Sequence, residues 1–121
     1  MPNRLALPTR RLWAAAALSA ALAVGAGAFG AHGAPSAQAG DWLRTGGLYQ
    51  LIHAVAAIAM AARAPRCAAM LLAGAGLFAA TLYAMALGAP RWLGAVTPIG
   101  GAVMILGWLA LAVAMARRPE G

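Results

Sequence analysis

Apolar residues run almost unbroken along this chain, and polar or turn-forming residues interrupt them at only a few places. Four apolar stretches result, roughly 12–31, 46–62, 68–87 and 93–116. Each is close to the ~20 residues that an α-helix needs to cross ~30 Å of hydrocarbon. The pattern therefore predicts an all-α, integral membrane four-helix bundle.

The interruptions set the expected boundaries. Between His32 and about Thr45, the residues Pro35, Ser36, Gln38, Gly40 and Asp41 read as the longest connection, polar and rich in turn formers. There Asp41 is placed either to cap the second helix or to pair with Arg44. Arg63-Ala64-Pro65-Arg66 reads as a tight hairpin whose proline stops helix two. Gly88-Ala89-Pro90-Arg91-Trp92 opens the last connection. Helix four has two candidate starts, Leu93 and Thr97-Pro98. The second is preferred, because a capping side chain precedes a proline at the first helical position. It gives a helix over 98–116, about 28 Å long, with Trp92 as an interfacial anchor.

Composition agrees with this picture and narrows it. The chain of 121 residues is 64% hydrophobic and 9% charged, against about 25% charged in a soluble domain. Helices at about 12–31, 46–62, 68–87 and 98–116 leave nothing for a soluble unit, so 1–121 reads as a single transmembrane domain. The net charge of +7 does not point to nucleic acid, because no polar surface remains to display a basic stripe. The positions of the arginines are more informative. Arg4, Arg10, Arg11, Arg63, Arg66, Arg117 and Arg118 fall on one side of a four-pass chain, and Arg44 and Arg91 on the other. The positive-inside rule then expects both termini in the cytoplasm of a bacterial inner-membrane protein. Arg10-Arg11 before an apolar run and Ala37-Gln38-Ala39 imitate a signal peptide. The run of ~20 residues exceeds the usual 7–15 of a signal core, so a retained helix is expected.

Helix faces suggest how the bundle closes. Ser19, Ala23, Ala26, Gly30 and Gly33 recur on one face of helix one, and Thr97, Gly100, Gly101, Met104, Gly107 and Trp108 share a face of helix four. Small residues let membrane helices approach closely. Gly27, Gly30, Gly33, Gly100, Gly101 and Gly107 are therefore the expected packing positions. Gly25-Ala26-Gly27-Ala28-Phe29 resembles Gly74-Ala75-Gly76-Leu77-Phe78, but the two halves share little else, and no duplication is assigned.

Polar side chains inside a membrane are costly and often functional. Tyr49, Gln50 and His53 share a face of helix two. His32 ends helix one, Thr81 and Tyr83 lie towards the end of helix three, and Thr97 starts helix four. Counted from the outer ends, His53 falls roughly 10–13 Å deep and the others shallower. The expectation is a polar cluster of His32, Tyr49, Gln50, His53, Thr81, Tyr83 and Thr97 in the outer half. Two histidines without a third ligand make no metal site, and Cys67 has no partner for a disulfide. Neither a nucleophile beside a histidine nor a paired carboxylate is present, so no catalytic residues and no cofactor are assigned. Small multidrug exporters have a similar size and depend on a glutamate within a helix; here Asp41 and Glu120 are expected outside the helices.

These residues also carry a family resemblance. G-A-F-G-A-H-G at 27–33, T-G-G-L-Y-Q-L-I-H at 45–53, L-F-A-A-T-L-Y at 77–83 and L-G-A-V-T-P-I-G-G at 93–101 resemble the YgdD-like family of small bacterial inner-membrane proteins of unknown function. The resemblance implies a four-helix membrane protein and supplies no substrate. By position its pattern falls on Gly27, Phe29, Gly30, His32, Gly33, Tyr49, Gln50, His53, Tyr83, Thr97, Pro98 and Gly100. The expected function is a non-enzymatic structural or interaction role, with the lipid bilayer, further copies or other membrane proteins as partners and no nucleic acid. The competing expectation is a small-solute or proton transporter that uses the polar cluster, with a histidine as its titrating member.

Overall fold

A computed structural model describes residues 7–119; Arg4 and Glu120 lie outside them. The described chain is helical: α1 (Leu7–His32), α2 (Ala37–Met60), α3 (Pro65–Ala86), a short 3-10 helix (Arg91–Ala95) and α4 (Thr97–Ala116).

The first connection is far shorter than the cluster of turn formers suggests. α1 closes with Gly33 N–H on Phe29 O at 2.7 Å, and Pro35 prevents its continuation. Ser36 then adopts an extended conformation and its hydroxyl accepts from Ala39 N–H at 3.0 Å, so it caps α2. α2 begins at Ala37 rather than 46, and Asp41 lies inside it instead of capping it. Asp41 accepts a 2.8 Å bond from Arg44 one turn on, with both side chains exposed. Gly40 is a poor helix former, but its site is set by contact: a Cβ there would lie 2.9 Å from Gly30 O of α1.

The other boundaries follow local chemistry more closely. Pro65 occupies the first turn of α3, where a missing N–H is harmless. α3 ends at Ala86, and just past it Gly88 takes a φ of 102°, open to glycine without strain. α4 starts at Thr97, so this residue is the first helical position and not the cap; Val96 precedes it without a side-chain cap bond.

Successive helices run antiparallel and pack in chain order, and α1 also touches α3. Among the described residues, α1 and α4 have no close backbone contact. Three helical segments are long and apolar enough to cross a membrane, and α2 is not among them. Gln38, Asp41, Arg44, Gln50 and His53 lower its hydropathy. It nevertheless runs alongside α1 and α3, and its 24 residues reach about 36 Å. Of the apolar segments, α3 is the central one: 44% of its stretch is buried, against 11% for α1 and 17% for Arg91–Ala116, which joins the 3-10 helix to α4.

The interior reverses the pattern of a water-soluble bundle. Among the described residues the buried hydrophobic side chains are mostly alanine, including Ala16, Ala54, Ala57, Ala68, Ala75 and Ala79, and Leu71 is the one large side chain fully enclosed. Leu18, Leu22, Ile99, Ile105 and Leu109 point outward. Lipid tails are as apolar as leucine, so burying leucine brings little gain and close contact of backbones takes over. The tightest approach joins α3 to α4. A Cβ on Gly74 would lie 2.9 Å from Gly100 O and 2.8 Å from Met104 N, and one on Gly100 would lie 2.6 Å from Gly74 O.

Gly74→Ala is therefore expected to lower stability by about 1–3 kcal/mol, as overpacking does, measured by unfolding in mixed micelles. Gly101→Ala, where a Cβ meets nothing within 4 Å, is the control and should shift it by less than about 0.5 kcal/mol.

Candidate functional site

In hydrocarbon a hydroxyl, amide or imidazole needs a partner from the protein itself. The buried polar side chains of this chain find theirs across helix boundaries. Gln50, 6% exposed, links three helices. Its Nε2 donates to Ser19 Oγ of α1 at 3.0 Å, and its Oε1 accepts from the Tyr83 hydroxyl of α3 at 2.6 Å. Serine and tyrosine hydroxyls each donate and accept, so both ends of the amide are matched.

His53, 5% exposed, ties α2 to α4. Its Nδ1 lies 2.6 Å from Tyr49 O, and its Nε2 lies 3.0 Å from Trp108 Nε1. A carbonyl only accepts and an indole N–H only donates. The imidazole is therefore the neutral tautomer with its proton on Nδ1, and both ring nitrogens are engaged. The rings of His53 and Trp108 meet edge to face at 5.8 Å, a favourable aromatic arrangement. Nearer the end that carries the α1–α2 and α3–α4 connections, Thr81 Oγ1 and Thr97 Oγ1 are 2.7 Å apart, and Thr81 donates to Phe78 O at 2.9 Å. Thr97 also lies 3.3 Å from Leu93 O. Two hydroxyl protons suffice for the relay from Thr97 to Thr81 to Phe78 O.

The structure thus joins Gln50 with Tyr83, and Thr81 with Thr97, and sets His53 one turn below Gln50. His32 is exposed at the end of α1, about 20 Å along the helix from Ser19, and takes no part. Tyr49 is 43% exposed; its ring packs on Phe78 at 4.9 Å and lies nearly parallel to His53 at 6.2 Å. Its hydroxyl has no partner among the described residues. The depth also differs from expectation. Because α2 starts at Ala37, Gln50 lies about 20 Å along a helix of about 36 Å. The Gln50 and His53 bonds sit near the middle of α2, while Thr81 and Thr97 lie towards the end that carries the α1–α2 and α3–α4 connections.

Ser19 and Trp108 complete the network, yet their sequence signal placed them only on packing faces. Each is a hydrogen-bonding group in the middle of a long apolar helix, and that was the available clue. Of the glycines expected at contacts, Gly30 and Gly100 meet neighbouring backbones, and Gly107 meets Leu71 at 2.8 Å. A Cβ on Gly33 would meet Phe29 of its own helix at 2.7 Å, and those on Gly27 and Gly101 would meet nothing within 4 Å. Close contacts also occur at Gly40, Gly46, Gly47 and Gly74, outside the expected set.

Among the described residues no buried side-chain nitrogen or oxygen lacks a partner, and no three His, Cys, Asp or Glu side chains gather as metal ligands. Further bonds tie the ends. Arg91 donates to Gln38 Oε1 at 2.9 Å across the two connections, and at the opposite end Arg118 donates to Arg63 O.

A family model described as a protein of unknown function (DUF423) matches residues 26–101. A UPF0382 membrane protein of Haemophilus influenzae is 39% identical, covering 79% of this chain and 86% of its own. The UPF0382 membrane protein YwdK of Bacillus subtilis is 34% identical over 81% of this chain and 89% of its own. A UPF0382 membrane protein of Schizosaccharomyces pombe is 33% identical over 84% and 98%. No solved structure matches.

The link between Gln50 and Tyr83 is testable by a double-mutant cycle with Gln50→Ala and Tyr83→Phe. The expected coupling is between about 0.6 and 1.7 kcal/mol, the span measured for interhelical hydrogen bonds in membranes. Additive effects would show that the two side chains do not interact.

Proposed function

Because the chain belongs to the DUF423 family of membrane proteins, whose function is unknown, we propose that it is a non-enzymatic multi-pass membrane protein with a structural or interaction role. One observation carries this reading: the buried polar side chains are satisfied by one another across α1, α2, α3 and α4. Their chemistry is consumed in fastening helices. A proton-relaying histidine must accept a proton on a free nitrogen. His53 Nε2 is occupied by the Trp108 N–H and Nδ1 faces Tyr49 O, so neither ring nitrogen is free.

The outward faces of α1 and α4, rich in large apolar side chains, suit lipid, further copies of the chain or other membrane proteins. The distribution of arginine supports cytoplasmic termini in a bacterial inner membrane. Arg10, Arg11, Arg63, Arg66, Arg117 and Arg118 gather at the end holding the described termini, and Arg44 and Arg91 lie towards the other.

Proteoliposomes holding the protein and a trapped pH dye should pass protons no faster than empty vesicles under an imposed gradient. Flux that His53→Gln abolishes would sink the structural reading. The same substitution should lower the melting temperature, since it removes the imidazole that bridges Tyr49 O and Trp108 and packs on the indole ring. Reporter fusions at each terminus should both report cytoplasm, and a periplasmic signal from either would overturn that topology.

A further inference from the structure

α2 and α4 both pack on α3, and among the described residues they have no close backbone contact with each other. A groove therefore runs between them, bridged by the bond from Trp108 to His53. On the side of Trp108 nearer the described termini it forms a cleft of about 300 Å³. Ala56, Ala59 and Met60 give it a wall on one face of α2, and Trp108, Leu111 and Met115 a wall on one face of α4. Ala59 and Trp108 are exposed, so the groove opens outward. Past Trp108 it continues as a second cleft of about 380 Å³ that reaches Tyr49.

Arginines gather at its mouth. Arg63 lines the first cleft itself, and Arg118, just past α4, donates to Arg63 O. Arg66 and Arg117 are close neighbours of these two along the chain. Among the described residues the carboxylate side chain is Asp41, which lies towards the other end of α2 and is paired with Arg44. Glu120, outside the described residues, is one charge against four. The mouth is thus cationic and the walls behind it apolar. From Met60 to Tyr49 the groove follows α2 for about 16 Å, close to the ~15 Å of hydrocarbon in one leaflet.

We propose that the groove binds one anionic phospholipid, with an acyl chain between α2 and α4 against Trp108 and the phosphate at Arg63 and Arg118. Guanidinium groups match phosphate oxygens in forked pairs, and basic pockets between membrane helices hold anionic headgroups. A zwitterionic lipid has the same chains and phosphate, but its ammonium group would stand among arginines. A free phosphate would use the mouth and leave the groove, whereas a phospholipid uses both. The positive-inside rule alone would make the arginines of this end equivalent. The groove separates them: Arg10 and Arg11 stand at the same end on α1, which lines neither cleft. The proposal rests on the groove and its arginines and not on the bonds of Gln50 and His53, so either reading can fail without the other.

The test is native mass spectrometry of the full chain in delipidated detergent micelles, titrated with dioleoyl phosphatidylglycerol or with phosphatidylcholine of the same chains. The expected result is one phosphatidylglycerol bound per chain, about tenfold more tightly than phosphatidylcholine. Arg63→Gln with Arg118→Gln should remove that preference, whereas Arg10→Gln with Arg11→Gln, an equal loss of charge, should leave it within about twofold. Arg63→Gln alone keeps the bond of Arg118 to the backbone and serves if the double variant fails to fold. Ala59→Leu, which fills the groove at an exposed position, should weaken both lipids while thermal unfolding without lipid stays as in the wild type. Equal affinity for the two lipids would overturn the proposal, as would an equal effect of the Arg10 and Arg11 changes. Unchanged binding in Ala59→Leu would also sink it, because the phosphate would then be held without the groove. So would a dimer that Ala59→Leu converts to a monomer, because the groove would belong to a second copy.

Discussion

Backbone-to-backbone contact at glycine is the constraint on which the rest of this bundle depends. Hydrocarbon outside the helices removes the gain that water gives to burying leucine. Cohesion must come from dispersion between surfaces that touch, and from polar groups that cannot turn to solvent. Gly30 with Gly40, and Gly74 with Gly100, bring successive helices to a spacing where even one added carbon would meet a carbonyl oxygen. The short reach of Ser19 to Gln50, and of Thr81 to Thr97, is possible only at that spacing. Close packing and hydrogen bonding are therefore not separate contributions here: the first is the condition for the second.

The fold class was legible because its signal is spread over whole helices, and the connections were not, because theirs rests on single residues. Gln38, Gly40 and Asp41 look like a loop when each is weighed by propensity. Ser36 outweighs them by capping, and the contact of Gly40 with α1 supplies what its propensity lacks. That shift of the helix start also sets Gln50 and His53 further along α2 than a start at 46 implies, whereas Thr81 and Thr97 stay near the connections. In the polar set itself, Gln50, His53 and Tyr83 were visible from residue type alone. Their partners were harder to see: Ser19 and Trp108 are common in membrane helices for other reasons, and only the register of antiparallel packing reveals what they face. Gly27 and Gly101 show the converse, since a small residue on a helix face does not say whether a neighbour arrives there.

The match to the family covers 26–101, and the network reaches beyond it at both ends. Gln50, His53, Thr81, Tyr83 and Thr97 lie inside the matched segment, whereas Ser19 and Trp108 lie outside it. The bonds that hold α1 and the lower part of α4 to the centre thus depend on chain segments that the family model does not describe. Relatives that lack equivalents of these two residues would have to satisfy Gln50 and His53 by other means.

The place of α2 between α1 and α3 bears on how such a protein enters a membrane. Its charges and amides make it too polar to be counted with the other three as a span, and charged residues oppose partitioning of an isolated helix. Once α1 is beside it, Gln50 has Ser19, and Trp13 can donate to Ile58 O. With α3 in place, Tyr83 completes the set. Biogenesis of this chain is then a matter of helical hairpins inserting as pairs, each new segment made soluble in lipid by the one already there.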